Sequence, residues 1–172
     1  MSRSVDLCSV NYQSILKPAV TLFDVVTETV FYDESLHLTE KIFKPIVSKR
    51  PFILVGAPGN LAYLKRYGFR TFDQWIDESY DEEADPEIRI NMIADQLAYL
   101  CTQDVTQMYN EMQEVLEYNH QHFYGKFREI IVDELLWNFK KQVNWYNHDR
   151  IERYRLPIDR INFEQVRRLM LS

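Results

Sequence analysis

Three adjacent residues have side chains and a position that could bind an anion. Thr39, Glu40 and Lys41 stand at the start of an apolar helical pattern, where a helix is expected to begin. The first backbone N–H groups of a helix have no partner inside it, and the helix dipole makes that end positive. Phosphate groups bind at such ends, and a nearby lysine adds a mobile positive charge. The segment therefore predicts a phosphate site, with Glu40 available to accept hydrogen bonds from sugar hydroxyls.

A simpler interpretation of the same residues stays open. Thr39 could serve only as the N-cap, Glu40 could complement the helix dipole, and Lys41 could be solvated. Capped helices are far commoner than phosphate sites. The residues alone do not choose between a ligand site and an ordinary helix start.

The elements around this segment predict a strand–loop–helix–strand unit. Residues 19–32 are rich in Val, Thr and Phe and predict a strand that ends near Glu28. A short helix is expected over residues 39–49, kinked or broken in its second turn by Pro45. The continuous apolar run at 51–55 then predicts a buried parallel strand.

Two further features extend the predicted phosphate site. Lys44 adds positive charge one turn after Lys41, in a chain whose formal net charge is −6. Gly56 and Gly59 frame a turn directly after the second strand. Ligands of parallel α/β sheets lie beyond the carboxyl ends of the strands. We therefore expect this turn to form one wall of the site.

The next stretch predicts smaller elements. A short helix is expected over residues 60–67, followed by a short strand or an extended segment at 69–72. Residues 73–87 are strongly acidic, and such runs are usually solvated loops. Trp75 and Tyr80 are expected to anchor this acidic segment to the core.

Helical patterns fill the rest of the chain. Asp85 followed by Pro86 marks one helix start, and Asp104 marks another. Apolar spacing predicts a long amphipathic helix over residues 123–147. The predicted fold class is therefore α/β, with a small parallel sheet over about residues 20–72 followed by a helical C-terminal region.

Composition limits the functional classes. The 172 residues suit one domain, or one domain with a helical extension. The acidic balance argues against a nucleic-acid-binding surface. Cys8 and Cys101 follow no metal or redox spacing, which favours a reducing, cytoplasmic environment. The first 14 residues lack the apolar core of a signal peptide, and no run reaches the ~20 apolar residues of a membrane span.

The order of the motifs resembles a known family. The chain resembles the donor-binding segment of the fucosyltransferases in an ordered series of motifs. These are a strand end Thr-Glu-Thr, a polar loop, Leu-Thr-Glu-Lys-Ile-Phe, a short helix and Arg-Pro-Phe-Ile-Leu-Val-Gly. The chain is also similar to glycosyltransferase-like proteins of bacteriophages and bacteria. That second similarity is carried by residues 39–46, 51–53, 56–59 and 68–72. Together the two similarities cover roughly residues 20–100.

The resemblance implies the Rossmann-like, nucleotide-sugar-binding half of a GT-B glycosyltransferase. On this analogy Glu40 would bind the ribose hydroxyls and Lys41 the diphosphate, whose charge Lys41 would stabilise as it leaves. Glu28 would lie near the donor sugar and is the best candidate for a general base. Thr29 stands where fucosyltransferases carry Asn, so fucose does not carry over. The implied donor-binding set is Thr39, Glu40, Lys41, Lys44, Gly56 and Gly59.

The expected function follows from that resemblance. Residues 1–104 would bind a nucleotide diphosphate sugar as donor substrate, without a metal or cofactor, and residues 105–172 would form a helical extension. A GT-B enzyme also needs an acceptor-binding half, so sugar transfer is expected only with a missing domain or a second subunit. The alternative is a non-catalytic interaction or regulatory module, of phage origin, built on a glycosyltransferase-derived scaffold.

Overall fold

The computed structural model describes residues 22–32, 35–148 and 156–172. Within these residues the chain is mostly helical and has two short strands, β1 (Asp24–Thr27) and β2 (Phe52–Val55). The helices are α1 (Glu40–Val47), α2 (Asn60–Arg66), α3 (Pro86–Leu100), α4 (Val105–Glu111), α5 (Gln113–His122), α6 (Arg128–His148) and α7 (Phe163–Leu171). Short 3-10 turns cover Ser79–Glu82 and Ile158–Arg160, and a π-helical turn covers Phe123–Phe127.

β1 and β2 pair in parallel, with Asp24 opposite Phe52 and Thr27 opposite Val55. Parallel strands need a crossover connection, and α1 lies in it, so β1, α1 and β2 form a βαβ unit. The predicted α/β class, a small parallel sheet followed by helices, is confirmed at this level. The predicted strand over residues 19–32 is shorter than expected, and its first three residues lie outside the described part of the chain.

Helix α1 begins where the sequence predicts and is not broken by its proline. Thr39 is the N-cap, and its hydroxyl accepts a hydrogen bond from Lys41 N at 3.3 Å. Pro45 lies inside the helix and is buried together with Ile42 and Ile46. A proline removes one helical hydrogen bond. In this short helix, burial of the shared apolar face outweighs that loss, so the predicted break is wrong.

Of the two alternatives for residues 69–72, a short strand or an extended segment, the strand is not formed. The side chain of Asn119 on α5 accepts a hydrogen bond from Arg70 N and donates one to Arg70 O, each at 2.8 Å. Glu78 accepts a hydrogen bond from Phe72 N, also at 2.8 Å. Side chains thus satisfy the backbone groups that a strand would offer to its neighbour. The segment is held in place without β-pairing.

The acidic segment at 73–87 is less solvated than predicted. Asp81 is buried, and its carboxylate accepts hydrogen bonds from Leu61 N at 2.8 Å and Ala62 N at 2.9 Å. Asp85 caps α3, and Tyr80 is buried in the core, both as predicted. Several of these carboxylates therefore serve as acceptors for backbone N–H groups at element ends, which a count of charges does not reveal.

The chain divides into two compact units, Met1–His120 and Gln121–Ser172. The first unit holds β1, β2 and the helices that begin before residue 120. In the second unit α6 contacts α7, and Arg167 forms an ion pair with Asp133. None of the helices that the structure describes combines the length and the apolar character needed to cross a membrane.

Candidate functional site

The candidate site lies where the carboxyl end of β1 meets the N-terminus of α1. Glu28 N donates to Val55 O at 2.8 Å, which continues the β1–β2 pairing by one residue. Lys41 Nζ donates to Thr29 Oγ1 at 3.3 Å. The fold thus brings the strand end and the helix start together, as a shared site requires.

Glu28 joins β1 to α1 through Thr39. Its side chain is buried, with 7% of the residue exposed. One carboxylate oxygen accepts from Thr39 N at 3.1 Å, and the other accepts from Thr39 Oγ1 at 2.6 Å. A buried carboxylate is stable only when such donors satisfy it. In this geometry Glu28 has a positioning role, and its role as a general base stays a prediction.

Thr39 uses its hydroxyl twice, donating to Glu28 and accepting from Lys41 N. Two of the backbone N–H groups predicted to bind phosphate, those of Thr39 and Lys41, therefore already have acceptors within the protein. A phosphate group at this end of α1 would depend more on the Lys41 ammonium than on the backbone. Glu40 is exposed in the first turn, where a ligand could reach it.

Lys41 and Lys44 contact no carboxylate within the residues that the structure describes. Lys49 and Lys65, in the same unit, each form an ion pair. Lys41 and Lys44 line a recess of ≈ 270 Å³ beside β1, together with Arg50 and Asp24, which form an ion pair with each other. Because their charges are not neutralised by a contacting carboxylate, these two lysines are the stronger local attractors for an anion.

The turn after β2 depends on its two glycines. A Cβ on Gly56 would lie 2.5 Å from Asn60 Nδ2, and Gly59 has a φ of 81°, which favours glycine. Asn60 is buried and pairs with the backbone of His37, accepting from His37 N at 3.2 Å and donating to His37 O at 3.3 Å. The turn therefore fixes the segment that leads into Thr39.

The turn also places the start of α2, whose first backbone N–H groups are occupied by the Asp81 carboxylate. Gly59 N donates to the backbone oxygen of Asp81 at 2.6 Å. An internal carboxylate at this helix end leaves α1 as the better position for a ligand anion. That Gly56 and Gly59 form a wall of the donor site stays a prediction.

Arg89 on α3 is a residue near the site that the sequence did not indicate. It is only 1% exposed, and its guanidinium donates to Glu83 O at 2.7 Å, to Ala84 O at 3.2 Å and to Phe31 O. The guanidinium also lies 4.4 Å from the centre of the Phe31 ring. The next residue of α3, the apolar Ile90, is by contrast 43% exposed. Arg89 ties the loop after β1 to the start of α3.

Comparison with known proteins gives no relative. No protein-family model, curated protein or solved structure matches the chain. No group of three or more potential metal ligands is present among the described residues. The function is therefore inferred from the geometry around Glu28, Thr29, Thr39 and Lys41 and from the order of the motifs.

Proposed function

We propose that the chain is a glycosyltransferase-like domain that binds a nucleotide diphosphate sugar and works with an acceptor-binding half or partner. The observation that supports this most is the position of Lys41. Its ammonium lies 3.3 Å from Thr29 Oγ1, at the carboxyl edge of β1 and the N-terminus of α1. Phosphorylated ligands of βαβ units bind at this edge, near a helix N-terminus.

The proposal gives each residue a distinct role. Lys41 contacts the diphosphate, and Lys44 adds a second charge one turn later. Glu40 accepts hydrogen bonds from the ribose hydroxyls. Positive charge beside the leaving diphosphate would lower the barrier to sugar transfer once an acceptor is present. Glu28 and Thr39 hold the strand end and the helix start in register.

Calorimetric titration of the full chain with GDP and UDP tests the proposal. A charged hydrogen bond contributes about 1.5–3 kcal/mol, so Lys41→Ala should weaken binding roughly 10- to 100-fold. Lys49→Ala is the matched control, because it removes the same charge from the same unit at an exposed ion pair with Glu117. Equal losses in both variants, or no binding of either nucleotide by the folded wild type, would refute the proposal.

A second candidate function, a non-catalytic interaction module, is favoured by a different observation. Helix α6 exposes large aromatic side chains, with Trp137 61% and Trp145 76% exposed. Aromatic side chains are enriched at protein–protein interfaces. This function predicts no nucleotide binding, together with a molar mass that rises with concentration in light scattering. Trp145→Ser should reduce that rise.

A further inference from the structure

A crevice of ≈ 330 Å³ opens at the carboxyl ends of both strands. Its lining residues include Thr27 and Val55, the last residues of β1 and β2, together with Phe31, Tyr32 and Ile90. Small-molecule pockets span about 300–1,000 Å³. The crevice is therefore of a size for one ring system and not for a whole nucleotide sugar.

One side of the crevice is held rigidly. Arg89 donates to Phe31 O and stacks its guanidinium 4.4 Å from the Phe31 ring centre. The same guanidinium binds the backbone of Glu83, just before α3. Arg89 thereby holds Phe31, in the loop after β1, against the start of α3. The Phe31 ring packs edge-on against Tyr32, with ring centres 5.3 Å apart.

The acidic lining of the crevice disfavours a phosphate group and is compatible with a neutral ring. Its carboxylate-bearing lining residues are Glu28 and Glu87, and no Lys, Arg or His is among the lining residues that the structure describes. Tyr32 is 86% exposed, so a ligand can reach its ring. A planar heteroaromatic ring suits such an aromatic and aliphatic surface, because every base has a π-face.

We propose that this crevice binds the planar base of the nucleotide whose diphosphate lies at Lys41. This inference rests on the proposed function and adds the place of the base to it. Thr29 contacts Lys41 and lies three residues before Tyr32. Three residues span at most about 10 Å, so one loop carries both the contact to the charged end and the surface for the ring.

The experiment compares nucleotides with inorganic pyrophosphate in calorimetric titrations of the full chain. GDP, UDP, ADP and CDP report on the base and the diphosphate together, and pyrophosphate reports on the charged end alone. Base–aromatic stacking is lost on truncation to alanine, so Tyr32→Ala should weaken nucleotide binding roughly 5- to 100-fold and leave pyrophosphate binding unchanged. Ile90→Glu, which puts a charged side chain into the lining of the crevice, should also weaken nucleotide binding. Tyr99→Ala, at an exposed position of α3 outside the crevice, is the control.

The outcomes separate this inference from the proposed function. Lys41→Ala should weaken both nucleotides and pyrophosphate, because it acts on the charged end. If Lys41→Ala weakens nucleotide binding but Tyr32→Ala and Ile90→Glu do not, the base lies elsewhere and the crevice assignment is overturned. If the folded wild type binds pyrophosphate but no nucleotide, the proposed function fails and this inference fails with it.

Discussion

At the scale of single residues, three side chains with almost no exposure each bind the backbone of a distant segment. Asn60, Arg89 and Asn119 are each 1% exposed. Asn60 pairs with the backbone of His37, and Asn119 pairs with that of Arg70. Polar groups this deeply buried destabilise the fold unless they are satisfied. Each of them therefore specifies one arrangement of the loop that it binds.

Replacing Asn119 should expose how much the loop at Arg70 depends on it. Asn119→Leu keeps a similar volume but leaves Arg70 N–H and C=O without their partner, which we expect to lower the free energy of unfolding by about 1–3 kcal/mol. Urea denaturation followed by circular dichroism measures this. Asn110→Leu, at an exposed position of α4, should change the free energy by less than about 0.5 kcal/mol. A similar effect in both variants would contradict the assignment.

Glu78 should make stability depend on pH. Burial raises the pKa of the Glu78 carboxyl above its ordinary value of 4.5, although hydrogen bonds from Thr71 and Phe72 and the charge of Lys65 act in the opposite direction. Between pH 4.5 and the raised pKa, the folded protein holds a proton on Glu78 that the unfolded chain has released. Stability therefore falls as the pH rises through the raised pKa.

The test compares the wild type with Glu78→Gln. As the pH rises from 4.5 through the raised pKa, the wild type should lose stability relative to the variant, because only the wild type must ionise this buried group. Urea midpoints at each pH give the difference. A difference that is constant with pH, or that moves in favour of the wild type, would show that the carboxyl is ionised in the folded state without cost.

At the scale of elements, Thr39 joins the N-terminus of α1 to the end of β1 through three hydrogen bonds. The Thr39 hydroxyl caps the helix by accepting from Lys41 N, and it also donates to the buried Glu28 carboxylate. Thr39 N donates to the same carboxylate. The helix start and the strand end are therefore one hydrogen-bonded unit, and Lys41 is carried by it.

Thr39→Ala should destabilise this unit more than a lost helix cap alone would. Loss of the cap costs about 0.5–2 kcal/mol, and removal of a donor to a charged group adds about 1.5–3 kcal/mol, so we expect a total of about 2–5 kcal/mol. Thr39→Ser keeps both hydrogen bonds and should cost much less. Thermal and urea unfolding of the two variants measure the contrast. Equal losses would mean that the methyl group, and not the hydroxyl, is the stabilising group.

At the scale of the whole molecule, charge is divided unevenly along the chain. Residues 1–120 carry 10 Lys and Arg and 19 Asp and Glu, a formal charge of −9, whereas residues 121–172 carry 10 and 7, a formal charge of +3. Lys41 and Lys44 thus lie in the strongly acidic unit. An approaching anionic nucleotide would meet long-range repulsion before it reaches their short-range attraction.

This distribution predicts an unusual salt dependence for nucleotide association. Salt shortens the Debye length from about 30 Å at 0.01 M to about 8 Å at 0.15 M, which screens the distant acidic charges more than the contacting lysines. The association rate of a fluorescent nucleotide should therefore rise roughly twofold or more over this range. Stopped-flow fluorescence measures it. A rate that falls with salt would mean that a broader basic surface guides the ligand.

The sequence by itself determined the parts of the fold that depend on near neighbours. The caps at Thr39, Asp85 and Asp104 and the turn at Gly59 form as predicted, because each needs only residues within about three positions. The alternation of an apolar strand, a capped helix and a second apolar strand also specified the parallel pair. The closeness of Glu28 to Thr39 follows from that topology.

Tertiary structure decided what these local signals could not. Arg70 and Asn119 are 49 positions apart, and their pairing takes up the backbone groups that a strand at residues 69–72 would have used. Asp81 reaches α2 across 20 positions, which turns an acidic loop residue into a buried cap. Partners so distant are brought together only by the packed fold, since hydrogen bonding of a buried polar group depends on what surrounds it and not on its sequence neighbours.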